Sequence, residues 1–208
     1  MSGHRDHVRL ALAGAVLVLA GCTGGLHSDA PTVQAWRLDP PPGLTPAADA
    51  AGVATLTLRV LRPLAAPGLE SERIALLHPD RTLDYYAANR WSGRLPEQVE
   101  ALALDTLRAA GGYRAVEAAG SVFSYDETLQ IEVRDFQAEY GAAVAPVARV
   151  TLVCTLGRRS DRAVLTTFTL TGSVPATDNR MHAIVAAFDA ALDMALAGLP
   201  QRLLGAPR

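Results

Sequence analysis

Cysteine is the side chain with the widest covalent repertoire in this 208-residue sequence, and there are two, Cys22 and Cys154. Cys22 closes the stretch Leu19-Ala20-Gly21-Cys22. Ahead of it, Leu10 to Ala20 carries no charge, and further ahead Arg5, Arg9, His4 and His7 stand against a single Asp6. A positive segment followed by a short apolar run is the layout of a secretory signal. The run is too short for a bilayer span, which needs roughly 20 apolar residues. Small residues at Ala20 and Gly21 suit a peptidase that draws an extended chain into a narrow site.

Leu-Ala-Gly-Cys after such a run resembles the bacterial lipobox, including the leucine three places before the cysteine. The resemblance implies transfer of a diacylglyceryl group to Cys22, cleavage after Gly21, and acylation (palmitate) of the new amine. The other reading is an ordinary secretory signal that happens to contain a cysteine. Two or more acyl chains on one residue anchor stably, at ~0.8 kcal/mol per buried CH2. The layout expected is a cleaved signal peptide over 1–21, a lipidated Cys22 with a polar tether over 22–32, and one domain over 33–203. Thr23 stands where enteric-type sorting prefers Asp for inner-membrane retention. It therefore points to the inner leaflet of the outer membrane, facing the periplasm.

With Cys22 acylated, Cys154 has no intramolecular partner, and its place in Val150 to Leu156 reads as a small buried hydrophobe in a strand. His78 and His182 are the histidines in segments expected to fold. Neither falls in a His-x3-His or Glu-x2-His spacing, so no metal site is expected. The serines lack a Gly-x-Ser-x-Gly elbow. No Gly-x4-Gly-Lys-Ser/Thr loop occurs, and all 19 basic residues are arginine. Neither a catalytic residue nor a cofactor is expected. A formal net charge of −2 gives no field that would favour nucleic acid. Tyr85, Tyr86 and Trp91 fall within seven positions in a chain that is only 5% aromatic, flanked by Arg90 and Arg94. They are either core packing or a partner-binding patch of Tyr85, Tyr86, Arg90 and Trp91, because Tyr and Trp are enriched at interfaces. Arg158-Arg159 and Arg162 mark a charged hairpin tip, solvated or in contact with membrane headgroups.

The elements that must position these residues follow from periodicity. Period-two patterns predict strands over Val53–Leu61, Arg73–His78, Thr82–Ala87, Thr128–Phe136, Ala145–Leu156 and Ala163–Thr171. Pro79-Asp80-Arg81 joins the second and third as a hairpin, and Phe136 breaks the alternation, which suggests a bulge. Leu64 to Glu72 reads as loop. Pro96 opens a helix on which Val99, Leu102, Ala103, Thr106, Leu107 and Ala110 share one face, and which stops at Gly111-Gly112. Thr177 or Asp178 caps a last helix with the stripe Ile184, Val185, Phe188, Ala191, Leu192, Ala195, Leu196 and Leu199, ending near Pro200. This order predicts an α+β fold: a mainly antiparallel sheet with two helices packed on one face, in a single domain.

Several of these passages together resemble the ABC-type transport auxiliary lipoproteins, the paraquat-inducible protein C-like components of MCE-type lipid transport systems. The passages are Trp36-Arg37-Leu38; Leu56 to Leu61 running into Arg62-Pro63; Ile74 to Trp91 with Tyr85, Tyr86, Asn89 and Arg90; Leu95-Pro96; Leu129 to Asp135-Phe136; and Phe188 to Leu192. Pro67 to Arg73 departs from the family's Tyr-Leu-x-Arg-like passage. The resemblance implies a non-catalytic, membrane-anchored subunit that docks on an MCE-domain subunit, with permease and ATPase elsewhere in the complex. Homo-oligomerisation stays open. Two other classes remain in view: an envelope-assembly lipoprotein that partners an outer-membrane barrel, and a tethered periplasmic hydrolase.

Overall fold

A computed structural model describes residues 32–40 and 54–208. The segments expected as signal peptide and tether, up to residue 31 and with Leu19 to Cys22 among them, lie outside the described residues.

The longest strand, β7 (Glu127–Glu139), organises the sheet. Leu129, Ile131 and Val133 alternate inward and are fully buried. One edge of β7 runs antiparallel along the whole of β8 (Val147–Arg158), which pairs in turn with β9 (Val164–Pro175). The other edge is shared by three short strands in succession, all parallel to it: β2 (Thr57–Val60), β3 (Leu64–Ala65) and β4 (Arg73–Leu77). Beyond them lie β5 (Leu83–Trp91), antiparallel to β4, and β1 (Gln34–Trp36), parallel to β5. A three-residue β6 (Ala115–Glu117) runs parallel to β2.

The nine-stranded sheet is therefore mixed and not mainly antiparallel. Alternation marks a strand but says nothing of its partner's direction. The parallel pairings arise because β2, β3 and β4 each return to β7 through intervening chain. Leu64-Ala65, expected as loop, forms β3. The register shift in β7 falls between Val133 and Asp135, beside the Phe136 phase break.

α1 (Leu95–Ala110) carries Pro96 in its first turn and ends at Gly111 and Gly112, with φ of 70° and 88°. Left-handed φ costs a glycine nothing, so the helix stops where its pattern stops. α2 (Met181–Ala197) has no side-chain cap. Arg180 precedes it, and its carbonyl accepts from the N–H groups of Ala183 and Ile184. Thr177 and Asp178 instead lie in the turn that carries the chain away from β9. Pro200 does not end the helical region: it sits in the first turn of α3 (Leu199–Leu204), where its missing N–H is no loss.

α2 covers β8 and β9 and meets α1. Under it, Phe136 and Phe188 stack with centroids 5.0 Å apart. Trp91 meets both edge-on, at 5.8 and 5.4 Å. Cys154 is fully buried, and burial pushes its thiol up to about 12, far from thiolate chemistry at neutral pH.

Asp189 on α2 holds the segment after β1: its Oδ1 accepts from the Asp39 N–H at 3.1 Å. Burial, with the charges of Asp39 and Asp193 adding to it, raises its carboxyl to about 6. Arg37, paired with Asp39 at 3.4 Å, is the nearby cation. A folded-state pKa above the unfolded value means the native state holds the extra proton between pH 4 and 6. Stability should rise as pH falls through that window. Asp189→Asn keeps the acceptor and removes the charge. It should raise stability at pH 7.5 by about 1 kcal/mol after solvent screening and flatten the profile, read by urea unfolding at pH 5 and 7.5.

Candidate functional site

The aromatic passage on β5 divides between core and surface. Trp91 is only 1% exposed and belongs to the Phe136–Phe188 cluster, so it is not part of a surface patch. Its seat follows from pairing: β5 lies between β4 and β1, and its last residue turns inward where α1 begins. Tyr85 is half-buried, with the Arg73 guanidinium 3.3 Å above its ring and its hydroxyl donating to the Gly68 carbonyl at 3.1 Å. Gly68 has φ 91°, and a Cβ there would press on Leu83 and the Tyr85 hydroxyl. Tyr85 thus pins the loop between β3 and β4.

Tyr86 sits within a polar relay. The Tyr140 hydroxyl donates to Asn179 Oδ1 at 2.7 Å, which leaves Tyr86 as donor in the 3.0 Å hydroxyl pair. Burial pushes the Tyr86 phenol well up, so it stays neutral. Arg90 is half-exposed and bonds Glu72 at 2.9 Å. Arg90 is thus exposed near the loop that Tyr85 holds, while Tyr86, the next residue on the strand, points to the opposite face and meets Tyr140. His78 stacks on Tyr140 in the same region, with centroids 6.4 Å apart.

A second site lies at the other end of the sheet, where β7 begins and the β8–β9 hairpin turns. A cleft of about 640 Å3 opens there. Leu56, Tyr125 and Leu165 give it apolar lining, and Arg158, Arg159 and Arg208 give it cationic groups. Each cation has a distinct setting. Arg158 bonds Asp161 at 3.2 Å across the hairpin tip. Arg208 bonds Glu127 at 3.1 Å, and Glu127, 3% exposed, also accepts from the Tyr113 hydroxyl at 3.0 Å. That pair is structural, since removing Arg208 would strand a buried carboxylate. Arg159 lies over the Tyr125 ring at 4.8 Å and donates to its carbonyl, while Arg59 covers Tyr125 at 3.9 Å.

Strand phase could have exposed Glu127, which shares its inward face with Leu129, Ile131 and Val133. Nothing local could have joined Arg59, Tyr125 and Arg159, which come from β2, the β6–β7 loop and the hairpin tip. Among the described residues, no cluster of three or more His, Cys, Asp or Glu is placed to hold a metal ion.

A family model for the ABC-type transport auxiliary lipoprotein component matches residues 37–197. The chain belongs to this family. The auxiliary lipoprotein is similar to the crystal structure of protein XCC0632 from Xanthomonas campestris, at 26% identity and TM-score 0.63, covering 85% of this chain and 91% of that one. It also shares the fold of an uncharacterized protein of known crystal structure, at 13% identity and TM-score 0.66, covering 83% and 99%. No curated protein sequence matches it. Membership places the auxiliary lipoprotein in the bacterial envelope, in association with an ABC transporter. The family passages Trp36-Arg37-Leu38, Ile74 to Trp91 and Asp135-Phe136 fall on β1, β4–β5 and β7, around the aromatic core.

Proposed function

We infer that this chain is a periplasmic accessory subunit of an MCE-type ABC intermembrane lipid transport system, acting by docking and not by catalysis. In this reading residues 1–21 are a cleaved signal peptide. Cys22 carries the lipid, in the inner leaflet of the outer membrane, and residues 22–32 tether the domain. The observation that carries it is the family match over 37–197, preceded by Leu19-Ala20-Gly21-Cys22. Docking surfaces are offered by Arg90, exposed on β5, and by the half-buried edges of Tyr85 and Tyr86 on the two faces of that strand.

Crosslinking in cells with a photoreactive residue at Arg90, followed by purification, is expected to capture the MCE-domain subunit. Capture of an outer-membrane barrel protein instead would favour an envelope-assembly role, and capture of neither would end the docking reading. Cys22→Ala is expected to mislocalise a folded domain and abolish complementation, read by membrane fractionation beside a barrier-defect assay. Full complementation by that variant would show that the anchor is dispensable.

A further inference from the structure

The cleft at the start of β7 combines features that the docking reading does not use. Its volume, about 640 Å3, lies inside the roughly 300–1,000 Å3 of small-molecule sites. Its lining is divided by chemistry. Leu56 and Leu165 are apolar and belong to separate segments, and the Tyr125 ring is overlaid by the guanidinium groups of Arg59 and Arg159. The cations stand beside them. Two are engaged, Arg158 with Asp161 and Arg208 with the buried Glu127. Arg159 is exposed and meets the Tyr125 ring and carbonyl but no carboxylate among the described residues. The acids lining the cleft are likewise committed: Asp126 Oδ2 accepts from the Thr57 N–H at 2.8 Å, and Glu127 is held by Tyr113 and Arg208.

Although Asp126, bonded to a neutral N–H, keeps its charge, the one cation lining the cleft without a carboxylate partner among the described residues is Arg159. It is oriented by stacking on an aromatic ring, with hydrocarbon surface next to it. A guanidinium binds phosphate or carboxylate through a planar fork of donors, and such charge-assisted bonds are about twice as strong as neutral ones. Val122 and Phe123, in the same loop as Tyr125, are 92% and 68% exposed. A free inorganic anion would leave the hydrocarbon surface unused, and an uncharged hydrocarbon would leave Arg159 unanswered.

We propose that this cleft binds a single anionic amphiphile, with the acid headgroup on Arg159 and the hydrocarbon chain along Leu56 and Leu165. The site is distinct from the β5 surface, so either can stand without the other.

The test uses residues 23–208 secreted behind a cleavable signal, so that no lipid is attached. Among the described residues all core side chains fall between Leu38 and Leu203, and this chain keeps every one of them. Three probes are titrated by calorimetry below their micellar concentrations: octyl phosphate, inorganic phosphate and octyl glucoside. Octyl phosphate should bind saturably, one per chain, and at least about ten-fold more tightly than either of the others. Arg159→Glu should weaken it at least about ten-fold, the loss expected for a charge-assisted contact turned repulsive. Leu165→Gln should weaken octyl phosphate and leave inorganic phosphate unchanged.

Both positions are exposed or half-buried, and unchanged melting temperatures confirm that the variants fold. Equal affinity for inorganic phosphate would overturn the amphiphile in favour of a plain anion site. Equal affinity for octyl glucoside, or indifference to Arg159→Glu, would overturn the headgroup assignment. Binding only to vesicles of anionic lipid, with no saturable binding of octyl phosphate, would make the surface a bilayer contact and overturn the single-molecule site.

Discussion

Trp91→Ala is expected to destabilise the domain by ~3–5 kcal/mol, a large share of the ~5–15 kcal/mol that holds an ordinary domain folded. Trp91 is among the largest fully buried side chains, and it closes the cluster of Phe136 and Phe188 with edge-on contacts to both. These rings come from β5, β7 and α2, so the cavity would open where the sheet meets its covering helix. The loss therefore combines transfer energy, a void and two aromatic pairs. Urea unfolding followed by circular dichroism reads it as a fall in midpoint with little change in slope. Trp91→Phe should lose less, because a ring remains to meet Phe136. A Trp91 acting mainly as a surface contact would give a change within about ±0.5 kcal/mol and a selective loss of partner binding.

Gly172→Ala is expected to cost ~3 kcal/mol or more, at the upper end of over-packing effects. Gly172 lies on β9 directly beneath α2. A Cβ added there would fall inside the van der Waals shell of the Ala191 carbonyl oxygen and within 2.7 Å of its carbon. The obstacle is helix backbone and not a side chain that could rotate away, so α2 would have to lift from the sheet. Ala191→Gly should not rescue it, because the colliding atoms stay in place. Hydrogen exchange should show the amides of α2 opening first. A Gly172→Ala protein of wild-type midpoint would mean that the helix can shift at no cost.

Both effects locate the domain's vulnerability at the α2–sheet contact inside the domain, while Arg90 and Arg159 are exposed on its surface. This separation lets the functional variants be interpreted. Arg90 and Arg159 are exposed or partly exposed, and changing them should alter contacts without altering the core. A loss of function at either can then be attributed to binding.

Much of the local structure was legible in the sequence. The alternation of Leu129, Ile131 and Val133, and of Ala148, Val150, Leu152, Cys154 and Leu156, identifies a buried face, because side chains alternate strictly along a strand. Pro96 and Gly111-Gly112 bound α1 because each acts on its own backbone. The Phe136 phase break marks the bulge for the same reason, and the stripe on α2 identifies a helix that must be covered. The family, too, was legible, through the order of passages from Trp36 to Leu192.

Tertiary structure alone decided the rest, because it depends on which distant segments meet. Strand direction is not encoded in alternation, so the parallel run of β2, β3 and β4 along one edge of β7 emerged only with the fold. A tryptophan next to two tyrosines reads equally as core or as interface until β5 is placed between β4 and β1, which turns Trp91 inward and leaves Arg90 outside. The Arg159 cleft gathers Leu56, Tyr125 and Leu165 from segments far apart in the chain. That Arg159 is the cleft cation without a carboxylate partner could be recognised only after Arg158 and Arg208 were seen to have found their own carboxylates.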